Sequence, residues 1–418
     1  MKILKAILLV CVFYTNLFAI DATLDIVKTI QTPNIEVTYL DSKNSEVAKK
    51  IYKILMNDLK VSGHFEVFDG DKNSGSVNFP IYKTKKIDLL ARVEVQNSDN
   101  GFRANLYLYD INASNIKINK TYNITDKNLY PFASHKMAID INDYIGAPSI
   151  AWMNRFVVLS KYTQPGETDI LVSDYTLTYQ KIVVRGGLNI FPKWANIDQT
   201  EIFFTKYLKK PTIVKYNIYT GITQKIIQSD GMAIVSDVSK DGNKLLLSLA
   251  PETQSNIYLY DLTNKLNTQL TKYPGIDVSG NFINNDTAMI FVSDRAGYPN
   301  IFAKKLDINA PVEQVVYHGR NNSSASANGD YVVYTSRESA NEFGLNTFNL
   351  YLISTKSDYI RRLTANGTNQ MPRFSNDGGS VMFLKHTQNQ SALGIIRLDY
   401  NRSFLFPLNN IKIQAFDW

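Results

Sequence analysis

The sequence predicts two domains: a small N-terminal α/β domain, then an all-β six-bladed propeller closed by the C-terminal strand. Three observations carry this reading. A short apolar strand recurs about every 45 residues from Ile150 onward. Its copies are Phe156-Val157-Val158, Ile202-Phe203-Phe204, Leu245-Leu246-Leu247, Met289-Ile290-Phe291, Val332-Val333-Tyr334 and Val381-Met382-Phe383, with steps of 46, 43, 44, 43 and 49 residues between their third positions. Small sheets repeated at this period bury their faces only against their neighbours, as a propeller does, and the copies lack the helical periodicity of a solenoid. Second, the region before Gly146 follows another pattern, mixing strands with helical stripes. Third, the first copy lacks an inner strand, and the end of the chain supplies one.

The first residues are different in kind. Met1-Lys2-Ile3-Leu4-Lys5 is basic, Ala6 to Phe18 is apolar but for Thr15 and Asn16, and Leu17-Phe18-Ala19 offers a small-residue cleavage site. Residues 1–19 are therefore predicted to be a secretory signal, the apolar run being too short for the ~20 residues that span a bilayer. The single cysteine, Cys11, lies inside this signal, behind Val10 where a lipoprotein signal would place a small residue. The mature chain then has no thiol, which excludes disulfides, thiolate catalysis and Cys-ligated metals. Losing Lys2 and Lys5 lowers the formal charge from +7 to about +5. The basic doublets Lys85-Lys86, Lys209-Lys210, Lys304-Lys305 and Arg361-Arg362 are scattered, where nucleic-acid binding needs them clustered with aromatics. They read as solvated strand edges.

Residues 20–34 are predicted to be a partner-binding peptide. Ala22-Thr23-Leu24-Asp25-Ile26-Val27-Lys28 alternates, and is long enough either to add a strand to a partner's sheet or to fold back on its own domain. The α/β domain follows over residues 35–146. Ile35 to Leu40 alternates like a strand, and apolar residues at 47, 48, 51, 52, 54, 55 and 59 predict a helix from Ser45, with Ser45 as N-cap and Gly63 as its close. Phe65 to Phe68 returns as a strand. Leu89 to Val95 and Phe102 to Tyr109 flank the hairpin signal Asn100-Gly101. A strand near Ile116 to Ile124 and a helix from about Leu129 to Tyr144 complete the unit, bounded by Gly146-Ala147-Pro148.

The propeller occupies residues 147–418. Each copy carries a further apolar strand, from Ile170-Leu171-Val172 to Ile395-Ile396, and most begin with an inner strand: Phe191 to Trp194, Ala233 to Val238, Val278 to Ile283, Ser323 to Ala325 and Met371 to Phe374. The strand missing before Ala151-Trp152 reappears as Ile413 to Trp418, so the C-terminus closes the ring and removes an exposed sheet edge. The 49-residue step is traced to an enlarged, polar, Asn-rich hairpin loop from Glu338 to Thr347.

Catalytic signatures are missing. No G-x-S-x-G elbow, phosphate-cradling glycine loop or H-E-x-x-H is present. His64, His135, His318 and His386 stand in unrelated segments and read as structural or surface residues. Asp69-Gly70-Asp71-Lys72-Asn73-Ser74-Gly75 imitates a calcium loop, yet Ser74 holds the glycine position and Pro80 the closing glutamate, so it reads as a turn between strands. Asp237, Asp277 and Arg373 lie on or before inner strands, where they line a polar, hydrated channel.

Together these features resemble the TolB family, the periplasmic component of the Tol–Pal system. The motifs that carry the resemblance are Ser239-Lys240-Asp241-Gly242-Asn243-Lys244-Leu245, Ser293-Asp294-Arg295-Ala296-Gly297-Tyr298-Pro299-Asn300-Ile301, Phe374-Ser375-Asn376-Asp377-Gly378, and Ala133-Ser134-His135-Lys136-Met137-Ala138 leading into Tyr144-Ile145-Gly146. The resemblance implies a monomeric, non-enzymatic periplasmic adaptor without metal or cofactor. It implies that the propeller binds the peptidoglycan-associated lipoprotein Pal at the mouth of its channel, holding the protein peripheral to the outer membrane. By position, Met232, Asp277, Asn321, Thr368 and Lys412 are the Pal-facing residues. Within the N-terminal peptide, Thr23, Leu24, Asp25, Ile26, Val27 and Lys28 are implied to bind TolA. The system supports outer-membrane integrity and constriction during division, and colicins exploit it. No nucleic-acid partner is implied. The alternative from a different class is an exported propeller enzyme or a peptide- or sugar-binding protein.

Overall fold

The computed structural model describes residues 32–40, 45–73, 75–98, 101–341, 344–388, 390–400 and 402–418. The predicted signal, Cys11, the peptide positions Thr23 to Lys28, Ser74 and Asn100 lie outside these residues, and so does the side chain of Ser45.

In the N-terminal domain β1 (Asn34–Tyr39) pairs in parallel with β2 (Glu66–Lys72) and β3 (Leu89–Ser98). Two antiparallel strands, β4 (Gly101–Asp110) and β5 (Asn115–Ile124), extend the sheet beyond β3. Alternation sends Ile35, Val37, Leu89, Ala91, Val93, Leu106 and Leu108 to one face. There they meet Ile51, Leu55 and Leu59 of α1 (Ser45–Ser62) and, from the later helix Tyr130–Tyr144, Met137, Ala138 and Ile141. Glu46 in the first turn of α1 and Lys60 in the last complement its dipole.

Three details differ from expectation. Asn34, assigned above to the peptide, opens β1, because its N–H donates to Asp88 at 2.9 Å and its amide to the Lys86 carbonyl at 2.8 Å. A short helix, α2 (Phe79–Thr84), covers the other face of the sheet over Tyr82, Ile87, Leu90 and Ile111. Its start is capped by Asn78, whose side chain accepts from the Ile81 N–H at 3.4 Å, with Pro80 in the first turn. Asp69–Lys72 is the end of β2 and not a turn. Gly70 serves packing there: a Cβ would lie 2.5 Å from Thr38 Cγ2 on the neighbouring strand. The long helix from the second half of the domain is α3 (Tyr130–Tyr144).

After Ala151–Asn154 the chain forms six four-stranded antiparallel blades. Blade 1 consists of Val157–Gln164, Glu167–Ser173 and Gln180–Val184, with Ile413–Asp417 as its innermost strand. The inner strands of blades 2 to 6 are Asn189–Trp194, Ala233–Val238, Asp277–Ile283, Arg320–Asn328 and Thr368–Phe374. Blades 5 and 6 are joined in one ladder only by the parallel bridge Phe348–Thr368. The predicted loop at 338–347 is instead a longer ladder. Tyr331–Asn341 and Gly344–Ser354 stay in register from Tyr331–Ser354 through Glu338–Thr347 to Asn341–Gly344, so polar residues that look like a loop carry strand pairing.

The recurrent apolar strand is second in each blade, and consecutive residues on it serve different interfaces. Phe204 packs between blades 1 and 2 and Phe203 between 2 and 3; Leu246 packs between 3 and 4, and Ile290 between 4 and 5. Val333 and Phe383 fill the space between 5 and 6. Between blades 6 and 1, Met382, Leu384, Leu393, Leu159 and Phe416 belong to the same cluster as the N-terminal core, together with Trp152, Tyr175 and Trp418. The seam of the ring and the attachment of the N-terminal domain therefore share one core, and residues 33–418 form one compact unit. A strand buried on both faces needs no polar alternation, which is why the repeat reads as an unbroken apolar run.

The inner strands touch in cyclic order, and one side chain ties each neighbouring pair. Asp417 accepts from the Trp194 N–H at 3.0 Å, and Lys193 pairs with Asp237 at 3.3 Å. Asp237 accepts from the Phe282 N–H at 2.9 Å, and the Asn281 amide donates to the Ala325 carbonyl at 3.1 Å. Ser326 accepts from the Phe374 N–H at 3.4 Å, and Arg373 reaches Asp417 at 3.6 Å. The last tie returns to the C-terminal strand.

Candidate functional site

In an antiparallel blade, the start of the inner strand lies at the same end as the hairpin between the second and third strands. The registers show this directly: Asn189 pairs with Lys206, Ala233 with Leu249, Asp277 with Ser293, and Thr368 with His386. Six such ends surround one mouth of the axis. Met232, Asn321, Thr368 and Lys412 stand at this mouth, one each from the starts of four inner strands. Met232, Asn321 and Thr368 are half-buried and Lys412 is exposed, its ammonium 5.6 Å from the Tyr162 ring centroid.

Asp277 shares that level but is turned away from it. Its side chain is fully buried, and both carboxylate oxygens accept from Arg295 Nη2, at 3.1 and 3.0 Å. The expectation that Asp277 lines the channel is corrected accordingly. Arg295 is packed by the rings of Tyr273, Phe291 and Phe302 at 4.9 to 5.3 Å, so the pair locks the blade 4 hairpin to its inner strand. Arg295→Met is expected to cost about 3–5 kcal/mol by leaving a buried carboxylate unpaired, whereas adding Asp277→Asn should recover most of the loss. Urea unfolding of the two variants and wild type checks this; a double variant as unstable as the single would show that the pair is not the reason.

On the axis itself is a cavity of about 220 Å³ lined by all six inner strands. Phe191, Met232, Ile234, Val278, Met371 and Phe416 give it an apolar middle. Its far end is closed by charge, with Lys193 between Asp237 (3.3 Å) and Asp417 (3.1 Å) and Arg373 beside Asp417. Asp237 and Arg373 thus stand at the axis as expected, but inside an ion-paired plug.

The sequence reading missed the backbone at this site. Every inner strand carries a register shift against its neighbour. Four of them place a non-glycine residue in the left-handed region there: Phe191 (φ 53°), Ser279 (56°), Ser324 (50°) and Met371 (54°). Such residues cost of order 1 kcal/mol or more each and cluster at functional sites. Gly280 beside Ser279 and Asn321, itself at φ 53° in blade 5, are the residue-type signals at these shifts; Phe191 and Met371 carry none.

A second cluster binds the N-terminal domain to blade 1. His135 of α3 is completely buried between Asp58 of α1 (Nδ1 to Oδ2, 2.9 Å) and Asp174 of blade 1 (Nε2 to Oδ2, 3.4 Å). The hydroxyl of Tyr175 donates to the other Asp58 oxygen at 2.5 Å, and Ser134 Oγ donates to Asp58 Oδ2 at 3.3 Å. Burial pushes the His135 pKa down, but the two carboxylates override it and raise it to about 9. Burial raises the Asp174 carboxyl, yet His135 and neighbouring donors outweigh this and hold it below its ordinary value. A structural histidine was expected here; its bridging of two domains was not. Among the described residues, no helix is long and apolar enough to cross a membrane, and no group of three His, Asp or Glu is placed to hold a metal ion.

A small α/β domain continuous in its core with a six-bladed propeller defines a two-domain propeller protein with a cavity on its axis. Residues 22–116 match the TolB amino-terminal domain and residues 152–418 the TolB beta propeller domain. The chain is 57% identical over 412 residues to the Tol-Pal system protein TolB of Wolinella succinogenes, covering 97% of each chain. It is 52% identical over 418 residues to that of Helicobacter pylori strain J99, covering 99% of this chain and 100% of the relative. Its fold is similar to that in the crystal structure of TolB from Acinetobacter baumannii, with a TM-score of 0.77 at 21% identity over 93% of this chain and 96% of that one. The chain belongs to the TolB family of Tol-Pal system proteins.

Proposed function

We propose that the protein is a non-catalytic periplasmic adaptor that docks the lipoprotein Pal at the propeller mouth and TolA through residues 20–34. In this reading it supports outer-membrane integrity and invagination during division, and its contacts with Pal are made by Met232, Asn321, Thr368 and Lys412. Asp277 contributes indirectly, by fixing Arg295 and the blade 4 hairpin. Thr23, Leu24, Asp25, Ile26, Val27 and Lys28 form the TolA-binding segment. The observation that carries this reading is the full-length likeness to Tol-Pal system proteins together with a mouth at which those four residues converge. Rigid radial sheets suit recognition better than turnover, since they present fixed loops without a moving lid.

The test is capture from a membrane extract on the immobilised mature chain. Pal is expected to be retained, and deletion of residues 20–29 is expected to abolish TolA capture while leaving Pal capture intact. Failure to retain Pal, or turnover of a substrate by the purified protein, overturns the reading.

A further inference from the structure

Both ends of the propeller carry charges, but those at one end have a reason in the turns that hold them. At the end opposite the mouth the turns carry Asp241, Asp261, Asp307 and Asp377. Each of these carboxylates accepts hydrogen bonds from its own turn. Asp241 binds the Asn243 N–H, Asp261 the Thr263 and Asn264 N–H groups, Asp307 the Asn309 N–H and Asp377 the Gly379 N–H. Turn chemistry accounts for those acids.

At the mouth, Lys206 and Lys209 stand on the blade 2 hairpin, Arg337 on the blade 5 hairpin, and Lys272, Arg320 and Lys412 on the connections leading into blades 4, 5 and 1; all but the half-buried Lys206 are exposed. None of the six forms an ion pair with a described carboxylate. Lys210 and Arg295, which share this end, are answered by Asp230 and Asp277, and the acids Glu167, Glu252 and Asp294 on the blade 1, 3 and 4 hairpins leave the six cations in excess. No turn geometry requires a cation at these six places. Arg337 donates to Asn346 and Arg320 and Lys412 lie over tyrosine rings, but like charges without carboxylate partners repel one another and attract an external counter-charge. Inside the ring of cations lies the axial cavity, about 220 Å³ in all, whose lining mixes the apolar side chains named above with serines, Asn281, Lys193 and Arg373. Apolar cavities of about 150 Å³ already accept benzene, so this one has room for a single aromatic or branched side chain.

We propose that the mouth is built for an acidic protein surface that carries one apolar side chain at its centre. Carboxylates of the partner face the six cations, and the apolar group enters between Met232, Ile234, Val278 and Met371. The inference rests on the reading that the mouth docks Pal, and it specifies the chemistry of the Pal surface that fits. A polyanionic glycan would satisfy the ring but leave the apolar socket empty, which is why a folded protein partner is favoured. The charges act mainly on encounter and on rejection of basic surfaces, while the central side chain, shielded from water by the rim, supplies the hot spot.

The experiment measures binding of the purified soluble domain of Pal to the full mature chain by calorimetry, at about 50 mM and about 300 mM NaCl, a range over which screening of exposed charges changes strongly. Affinity is expected to fall about tenfold or more across that range. The double substitution Lys209→Glu/Lys412→Glu should weaken binding at low salt by a further tenfold or so and flatten the salt dependence. Ile234→Trp, which fills the socket, should weaken binding while leaving the salt dependence as in wild type. Lys244→Glu, at the opposite end, serves as the charge control and should change nothing; thermal melts of every variant confirm folding. If Pal binds but neither salt nor Lys209→Glu/Lys412→Glu alters its affinity, this inference fails and the docking reading survives. If Pal does not bind in any salt, the docking reading fails and takes the inference with it. If dextran sulfate binds as tightly as Pal and competes with it whether or not the socket is filled, the site belongs to a polyanionic glycan and the protein-surface assignment is overturned.

Discussion

Truncation after Lys412 is expected to abolish cooperative folding of the propeller, not merely to lower its stability. The six residues removed include Phe416 and Trp418, both buried in the core that blades 6 and 1 share with the N-terminal domain, and the buried Ala415 on the axial cavity. Loss of one large buried aromatic costs about 3–5 kcal/mol, and two such losses already approach the 5–15 kcal/mol that holds a typical domain together. The truncation also strips Val157–Gln164 of its partner strand and removes Asp417, the carboxylate that joins Trp194, Lys193 and Arg373. Three consequences therefore coincide: an open sheet edge, a broken ring of ties and an exposed interdomain core. Far-UV circular dichroism and urea titration of the shortened chain provide the measurement. A truncated protein with a wild-type unfolding midpoint would show that the ring does not depend on its last strand. The milder Asp417→Asn keeps the hydrogen bond to Trp194 but weakens the attraction to Lys193 and Arg373, so it should leave the fold intact with a reduced midpoint.

The second large effect concerns His135. Its protonated ring lies between Asp58 and Asp174 with no access to water, and breaking such a buried arrangement by removing one member costs about 3–5 kcal/mol. His135→Gln is thus expected to destabilise the attachment of the N-terminal domain to blade 1 by that order. The pH dependence follows from the same geometry. The folded state holds the His135 proton up to about 9, against an ordinary value of 6.5. Its contribution, roughly 3 kcal/mol, is complete below pH 6.5 or so and drains away as pH rises through about 9. Wild-type stability should therefore fall between pH 7 and 10 more steeply than that of His135→Gln, which lacks the titrating bridge. Parallel losses in the two proteins over that interval would show that the ring carries no charge in the folded state. Tyr175, whose hydroxyl donates to Asp58, is held neutral throughout, since burial and the two carboxylates raise its pKa far above the usual range.

How much of this could be read from the chain depended on distance along it. The repeated strand was legible because its residues are buried on both sides by neighbouring blades, leaving an apolar run that announces itself. Closure was legible because a missing element and a surplus one stood at opposite ends. The polar run at 338–347 misled, because residue type suggested a loop while strand pairing with 344–354 decided otherwise. The Asp-Gly-Asp run misled in the same way: composition reads as a turn, whereas Asp69–Lys72 ends β2, and the approach of Thr38 explains the glycine. Asp277 was placed at the right level of the right strand, yet its orientation is set by Arg295, whose position follows from a hairpin turn.

What the amino-acid order determined by itself is therefore the period, the count of apolar strands and the identity of the closing segment. These are local properties, imposed by alternation and burial within a few residues. The tertiary structure alone decided which charges meet. His135 finds its partners 77 and 39 residues away, Trp194 and Asp417 meet across 223 residues, and the cations of the mouth come together from two hairpins and three blade connections. Electrostatic interactions act through space and depend on separation and burial, and neither quantity exists until the ring has closed.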